Sequence, residues 1–199
     1  MIDIGVNIQH DCFLNDLADT MAQSKEAGVD GFICIASDIK ESQFLESLCH
    51  DQMSLWPTFG CHPHQANTWN AESVSTLTHL INKHRPVAIG ETGLDFNRNY
   101  STPDEQRDAF EAQIQLSIEH NLPLYLHERD AHDDMLAMLN AAGTEKIQGV
   151  IHCFTGTTEQ LENYLALGLY IGVTGWVCDE RRGLSLQQAV PHIPLDRLL

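Results

Sequence analysis

The chain repeats one unit, a short apolar run rich in Ile, Val, Leu and Phe followed by a longer stretch with helical spacing. The apolar runs cover residues 2–7, 31–36, 55–61 (closed by His62), 87–91, 124–127, 150–152 and 169–174. The amphipathic stretches cover 14–27, 41–51, 71–83, 103–121, 131–142, 158–167 and 184–190. Run ends recur every 22 to 36 residues, which predicts parallel strands joined by helices and points to a TIM (β/α)8 barrel. A doubly wound open sheet would need a Gly-rich phosphate turn after the first strand, and Gly5-Val6-Asn7-Ile8-Gln9-His10 is not one. A further step of about 25 residues would place an eighth strand end near position 200. The sequence closes at Leu199, so the expectation is one barrel domain over residues 1–199 with the eighth strand incomplete and the C-terminal part missing.

Charge narrows the partners. Eleven Lys+Arg against 28 Asp+Glu give a formal net charge of -17, which excludes duplex DNA held by a diffuse basic surface and a polybasic membrane mode. No apolar run reaches the roughly 18 residues needed to span a bilayer, and the N-terminus has no signal-like pattern. Six cysteines, none spaced C-x-x-C, read as buried free thiols. A cytoplasmic protein without membrane contact is expected, as a monomer.

The ends of the runs carry the chemistry. In a barrel the C-terminal ends of the strands converge on one mouth, so side chains far apart in sequence meet there. Three runs end on metal-competent residues, Glu91, His127 and His152, and a fourth on Cys61-His62-Pro63-His64. One such histidine is ordinarily a hydrogen-bonded rim residue; several at matching positions of successive units are not explained that way. Two imidazoles and a carboxylate leave open coordination positions for hydrolytic chemistry on zinc, manganese or magnesium, and the spacing does not choose among them.

Arg98, Arg129, Arg181 and Arg182 fall on the loops of the same mouth. Either they pair with the neighbouring acids Asp95, Asp130, Asp179 and Glu180, or as a group they clasp phosphate oxygens. Phe96, Phe154 and Trp176 near this rim could stack on bases or simply pack, with packing favoured.

With these residues in place, the sequence resembles the TatD family of metal-dependent deoxyribonucleases, a branch of the amidohydrolase-like barrels. The stretch from Pro123 through His127-Glu128-Arg129-Asp130-Ala131 to Asp133 fits the family's P-x-x-x-H-x-R-x-A-x-[DE] pattern. Gly60-Cys61-His62-Pro63-His64, Ile89-Gly90-Glu91-Thr92-Gly93-Leu94-Asp95 and His152-Cys153-Phe154-Thr155-Gly156 look like three more of its signatures. Asn97-Arg98-Asn99 and the segment from Ile171 to Gly183 are similar to the branch acting as magnesium-dependent 3'-5' exonucleases on single-stranded DNA and RNA, linked to repair of oxidative DNA damage.

The resemblance implies Glu91, His127 and His152 as metal ligands; with the reading of the mouth they are the expected catalytic residues, and His62, His64, Arg129, Arg98 and Arg181 are expected on the substrate phosphate. It also implies a divalent metal, magnesium first, and single-stranded DNA or RNA ends as partners. Two departures stand out. Asp3-Ile4-Gly5-Val6-Asn7 lacks both histidines of the family's usual opening, and the family's aspartate at the end of strand eight has no counterpart. The rival readings are a metal-dependent ester hydrolase such as a D-aminoacyl-tRNA deacylase, and an inactive truncated barrel.

Overall fold

The computed structural model describes residues 1–181 and 183–199; Arg182 lies outside the described residues. The chain runs β1 (Ile2–Val6), α1 (Asp11–Leu14), α2 (Leu17–Glu26), β2 (Gly31–Cys34), α3 (Ile39–Cys49), β3 (Leu55–Phe59), α4 (Ala71–Lys83) and β4 (Ala88–Asp95). It continues with α5 (Pro103–His120), β5 (Leu124–Arg129), α6 (His132–Ala142), β6 (Gly149–Ile151), α7 (Thr158–Ala166), β7 (Tyr170–Ile171) and α8 (Leu184–Ala189). The strands form one sheet in sequence order, each parallel to the next, as successive β-helix-β units require. The last residues join it. Leu198 pairs in parallel with Ile171, the Ile171 and Val173 N–H groups donate to the carbonyls of Arg197 and Leu199, and the Leu199 N–H returns to Ile171 at 2.9 Å.

Alternation along the strands divides side chains between two layers. On β5, Leu124 and Leu126 face the helices and join the main core with Phe59, Ile89, Phe110 and Ile114. Tyr125 faces inward and packs with Ile35 and Ala88, beside Ile33 and Val150, in the barrel interior. His127 follows Tyr125 by two residues and therefore opens onto the same side. Phe32, Cys34, Leu45 and Leu55 seal β2 and β3 under α3.

Helix starts follow the sequence signals. Thr102 and Glu105 form the reciprocal cap expected of Thr102-Pro103-Asp104-Glu105, with the Glu105 N–H donating to Thr102 Oγ1 at 3.3 Å and the Thr102 N–H to Glu105 Oε2 at 2.7 Å. A single helix over 14–27 is not what forms: Asn15 and Asp16 interrupt it, giving α1 and α2.

The strand ends also differ. Rather than closing at Glu91, β4 continues to Asp95 through a register shift between Gly90 and Thr92, where Gly90 faces Tyr125 and Thr92 faces Leu126. Glu91 is thus the extra residue of a bulge, a device that re-aims a side chain. Conversely β6 stops at Ile151, where Cys153 at φ +50 turns the chain just after His152, and β7 has two residues against the run 169–174. All six cysteines are free thiols; Cys34, Cys49 and Cys61 are buried, whereas Cys12 and Cys178 are exposed, which corrects the expectation of burial for those two.

Candidate metal centre

The C-terminal ends of β3, β4, β5 and β6 deliver His62, Glu91, Asp95, His127 and His152 to one place. His127 is the hub. Its Nδ1 lies 3.1 Å from Glu91 Oε1 and its Nε2 lies 3.3 Å from Asp95 Oδ2, so one imidazole is bracketed by two carboxylates. Burial pulls the His127 pKa down, but the bonds to Asp95 and Glu91 outweigh it and raise it to about 9. Burial pushes the Glu91 carboxyl up, yet the bond from His127 and the nearby rings of His62 and His152 hold it at about 2. Asp95, 1% exposed, is likewise held below the usual carboxylate range against its desolvation, by His127, the Arg98 N–H and His64.

His62 and His64 complete the cluster. The His64 ring Nε2–H donates to Asp95 Oδ2 at 2.7 Å. His62 caps the turn that follows it, its Nδ1 accepting the His64 N–H at 3.0 Å. With Nδ1 used as an acceptor, the neutral ring carries its proton on Nε2, which points at Glu91 Oε1 from 3.6 Å. Burial drives the His62 pKa down to about 3, so the ring stays neutral. Ligand atoms of His62, His64 and His127 all lie within 4.8 Å of one another.

His152 lines the same cavity as His127. Its Nδ1 meets the Tyr125 hydroxyl at 2.7 Å, which fixes the ring and leaves Nε2 as its other nitrogen. The pair fits because residue 5 is glycine: a Cβ there would lie 2.7 Å from the Tyr125 hydroxyl and 3.3 Å from the His152 ring. Tyr125→Phe removes the partner that fixes the His152 ring, and metal affinity is expected to fall about 10-fold with the fold intact, measured by calorimetric titration.

The sequence-derived set is therefore partly gathered. His127, Arg129 and His152 line a cavity of about 550 Å³ together with Asn97, Cys153 and Trp176. Glu91, His62, His64, Arg98 and Arg181 are not among its lining residues: Glu91, His62 and His64 lie behind His127, the Arg98 N–H donates to Asp95 Oδ1, and Arg181 pairs with Asp179 at 3.8 Å. Phe154 is core, edge-on to Tyr164, and Phe96 lies under the Arg107 guanidinium, as the packing reading has it. Sequence reasoning missed Asp95 and Tyr125 as site residues. The signal for Asp95 was its place four residues beyond Glu91; Tyr125 carried none, being one inward position in an apolar strand.

The Gly90–Glu91 peptide bond is cis, and the Glu91 N–H donates to the Ala36 carbonyl just beyond β2 at 3.0 Å. Two anionic carboxylates, three imidazoles around them and a fourth across the cavity form an N/O donor set suited to a divalent cation. The His127 proton occupies the position of positive charge between the acids. A parallel barrel sheet with such a set at its strand ends defines a metal-dependent hydrolase.

Comparison with known proteins narrows the class. Residues 2–199 match the family model described as TatD related DNase. The chain is 45% identical to the 3'-5' ssDNA/RNA exonuclease TatD of Shigella flexneri and 48% identical to that of a Pantoea species, spanning all of this chain and 76% and 77% of theirs. A TatD homologue from Escherichia coli superposes with a TM-score of 0.92 at 26% identity, over 100% of this chain and 77% of that one. A TatD family hydrolase from Entamoeba histolytica gives 0.87 at 26% identity, over 100% and 71%. The chain belongs to the TatD family of nucleases.

Proposed function

We propose that this chain, acting as one domain over residues 1–199, is a 3'-5' exonuclease that hydrolyses phosphodiester bonds at the ends of single-stranded DNA and RNA. The observation that carries the reading is His127 held between Glu91 and Asp95 at the edge of a cavity that Arg129 and His152 also line. The exonuclease names of relatives 44–48% identical across the whole chain support the substrate and the polarity.

Glu91, His127 and His152 would hold a divalent cation, magnesium on this reading, with Asp95 beside them and His127 giving up one ring proton to do so; it would supply Lewis acidity to the phosphoryl group and to water. Around it the protein positions the substrate. The neutral His62, its Nε2 turned to Glu91, and His64, fixed on Asp95, back this site and would border the substrate phosphate. Arg129 offers its fork to the anionic backbone, with Arg98 and Arg181 at the loops beyond. Trp176, 37% exposed on the cavity wall, offers a face to a terminal base. Glu91 and Asp95 stay ionised at neutral pH, so the site is anionic until the cation arrives.

The net charge of -17 disfavours duplex DNA held by a diffuse basic surface, and leaves binding to local contacts such as Arg129. No described helix is long and apolar enough to cross a membrane. A cytoplasmic monomer acting in repair of oxidised DNA fits this chemistry. Labelled single-stranded DNA with magnesium is expected to shorten stepwise from its 3' end, and to be spared when a chelator is added. Deacylation of D-aminoacyl-tRNA with no shortening of DNA or RNA under any divalent metal would overturn the reading.

A further inference from the structure

A second cluster of ligand-type side chains lies at the opposite end of the barrel. Glu46 and His50 stand four residues apart at the C-terminal end of α3, which places them one turn above each other on a single helix face. His84 follows the last residue of α4, the neighbouring helix. Both helices finish here before β3 and β4 begin, so the cluster sits at the N-terminal ends of the strands, away from the candidate metal centre.

The local geometry is unusual for plain hydrogen bonding. His50 Nδ1 lies 2.7 Å from His84 Nδ1 and 3.1 Å from His84 Nε2, with the rings nearly perpendicular. One N–H cannot point at both nitrogens. Glu46 is 4% exposed and lies 3.2 Å from His84 Nδ1 through Oε1, while its other oxygen takes the Lys83 ammonium at 2.8 Å. Ligand atoms of all three residues fall within 4.8 Å of one another, beside a cavity of about 200 Å³ bordered by Met53, Trp56 and Arg85.

We propose that Glu46, His50 and His84 form a second metal site, for a borderline transition cation of the zinc class, which ties α3 to α4. Two imidazoles and one carboxylate oxygen with a fourth position open is a recurrent zinc donor set. Bonds of 2.0–2.1 Å to a tetrahedral zinc separate two nitrogens by about 3.3 Å. The observed pair needs to open by roughly 0.6 Å to reach that separation, and His50, more than half exposed, has the freedom to do so. Magnesium, which prefers oxygen and keeps its waters, does not suit the site. Lys83 acts as the competing cation on Glu46.

The test is zinc titration calorimetry and thermal melting of the whole chain, its His50→Ala and His84→Ala variants, and its Lys83→Met variant. The same set is repeated in a His127→Ala background, so that the outcome does not depend on the other centre. The expected result is one fewer zinc equivalent in each histidine variant and a zinc-dependent rise in Tm of about 5 °C in the parent that both variants lose. Lys83→Met is expected to bind zinc about 10-fold more tightly, because Glu46 no longer shares its charge. Equal zinc equivalents in the parent and in His50→Ala, or a Lys83→Met protein with unchanged affinity, would overturn the proposal and leave the cluster an ion-pair network.

Discussion

Replacing His127 by Ala is expected to lower turnover on a single-stranded oligonucleotide by about 1,000-fold, the scale on which loss of one catalytic electrostatic group is felt. Two effects combine. The cation loses a nitrogen ligand, which a weakened magnesium titration reports, and Glu91 and Asp95 lose the imidazole that separates them. Two largely buried carboxylates then keep only their remaining partners, His62 beside Glu91 and His64 with the Arg98 N–H on Asp95, so the metal-free variant is expected to lose about 3 kcal/mol of stability, measured by denaturant unfolding.

The pH dependence separates these effects. His127 titrates at about 9 in the folded protein, above its ordinary value of 6.5, so its stabilising contribution is complete below about 6.5 and disappears as pH rises through 9. With chelator present, the parent should lose stability across that interval while His127→Ala does not. Turnover within 10-fold of the parent, after purification free of contaminating nuclease, would remove His127 from the reaction.

Gly93→Ala is the second large expectation, and it acts through the backbone. Gly93 sits opposite His127 in the β4–β5 ladder at φ +139, where an L side chain is strained whatever the space. A Cβ there would drive into the His127 carbonyl and lie 3.0 Å from Met135 Cε. Neither neighbour can yield easily, since one is ladder backbone and the other belongs to a fully buried side chain. A loss of about 3–5 kcal/mol follows from strain and overpacking together, lowering Tm by about 10 °C. Thermal melting checks this directly; a Tm within about 2 °C of the parent would mean that β4 accommodates the methyl group by moving. Nuclease activity should fall with it, because the clash falls on the residue that carries His127.

The parallel order of the strands was legible because short apolar runs alternate with stretches of helical spacing, several of which begin on a recognisable cap, as at Thr102. Glu91, His127 and His152 could be read for the same reason: each closes an apolar run. Asp95 escaped because glycines at 90 and 93 look like breakers in a one-dimensional pattern. In the fold they permit a bulge and a close approach that carry β4 four residues further. Tyr125 escaped because its hydroxyl is invisible to hydropathy until Gly5 and His152 are placed around it. The end of β6 falls before the turn at Cys153, a non-glycine residue at positive φ that no composition rule announces. The Glu46 cluster was hidden differently, since i and i+4 residues of one helix meet a histidine 34 positions beyond His50 only when the two helices pack.

The bond from the Glu91 N–H to the Ala36 carbonyl makes this acid a strut across the barrel. Its backbone is tied to the end of β2 while its own strand is laddered to β5 on the other flank. Breathing motions that spread β2 from β4 would therefore draw Glu91 away from His127, so the readiness of the centre to receive a cation rises and falls with how tightly the sheet curls.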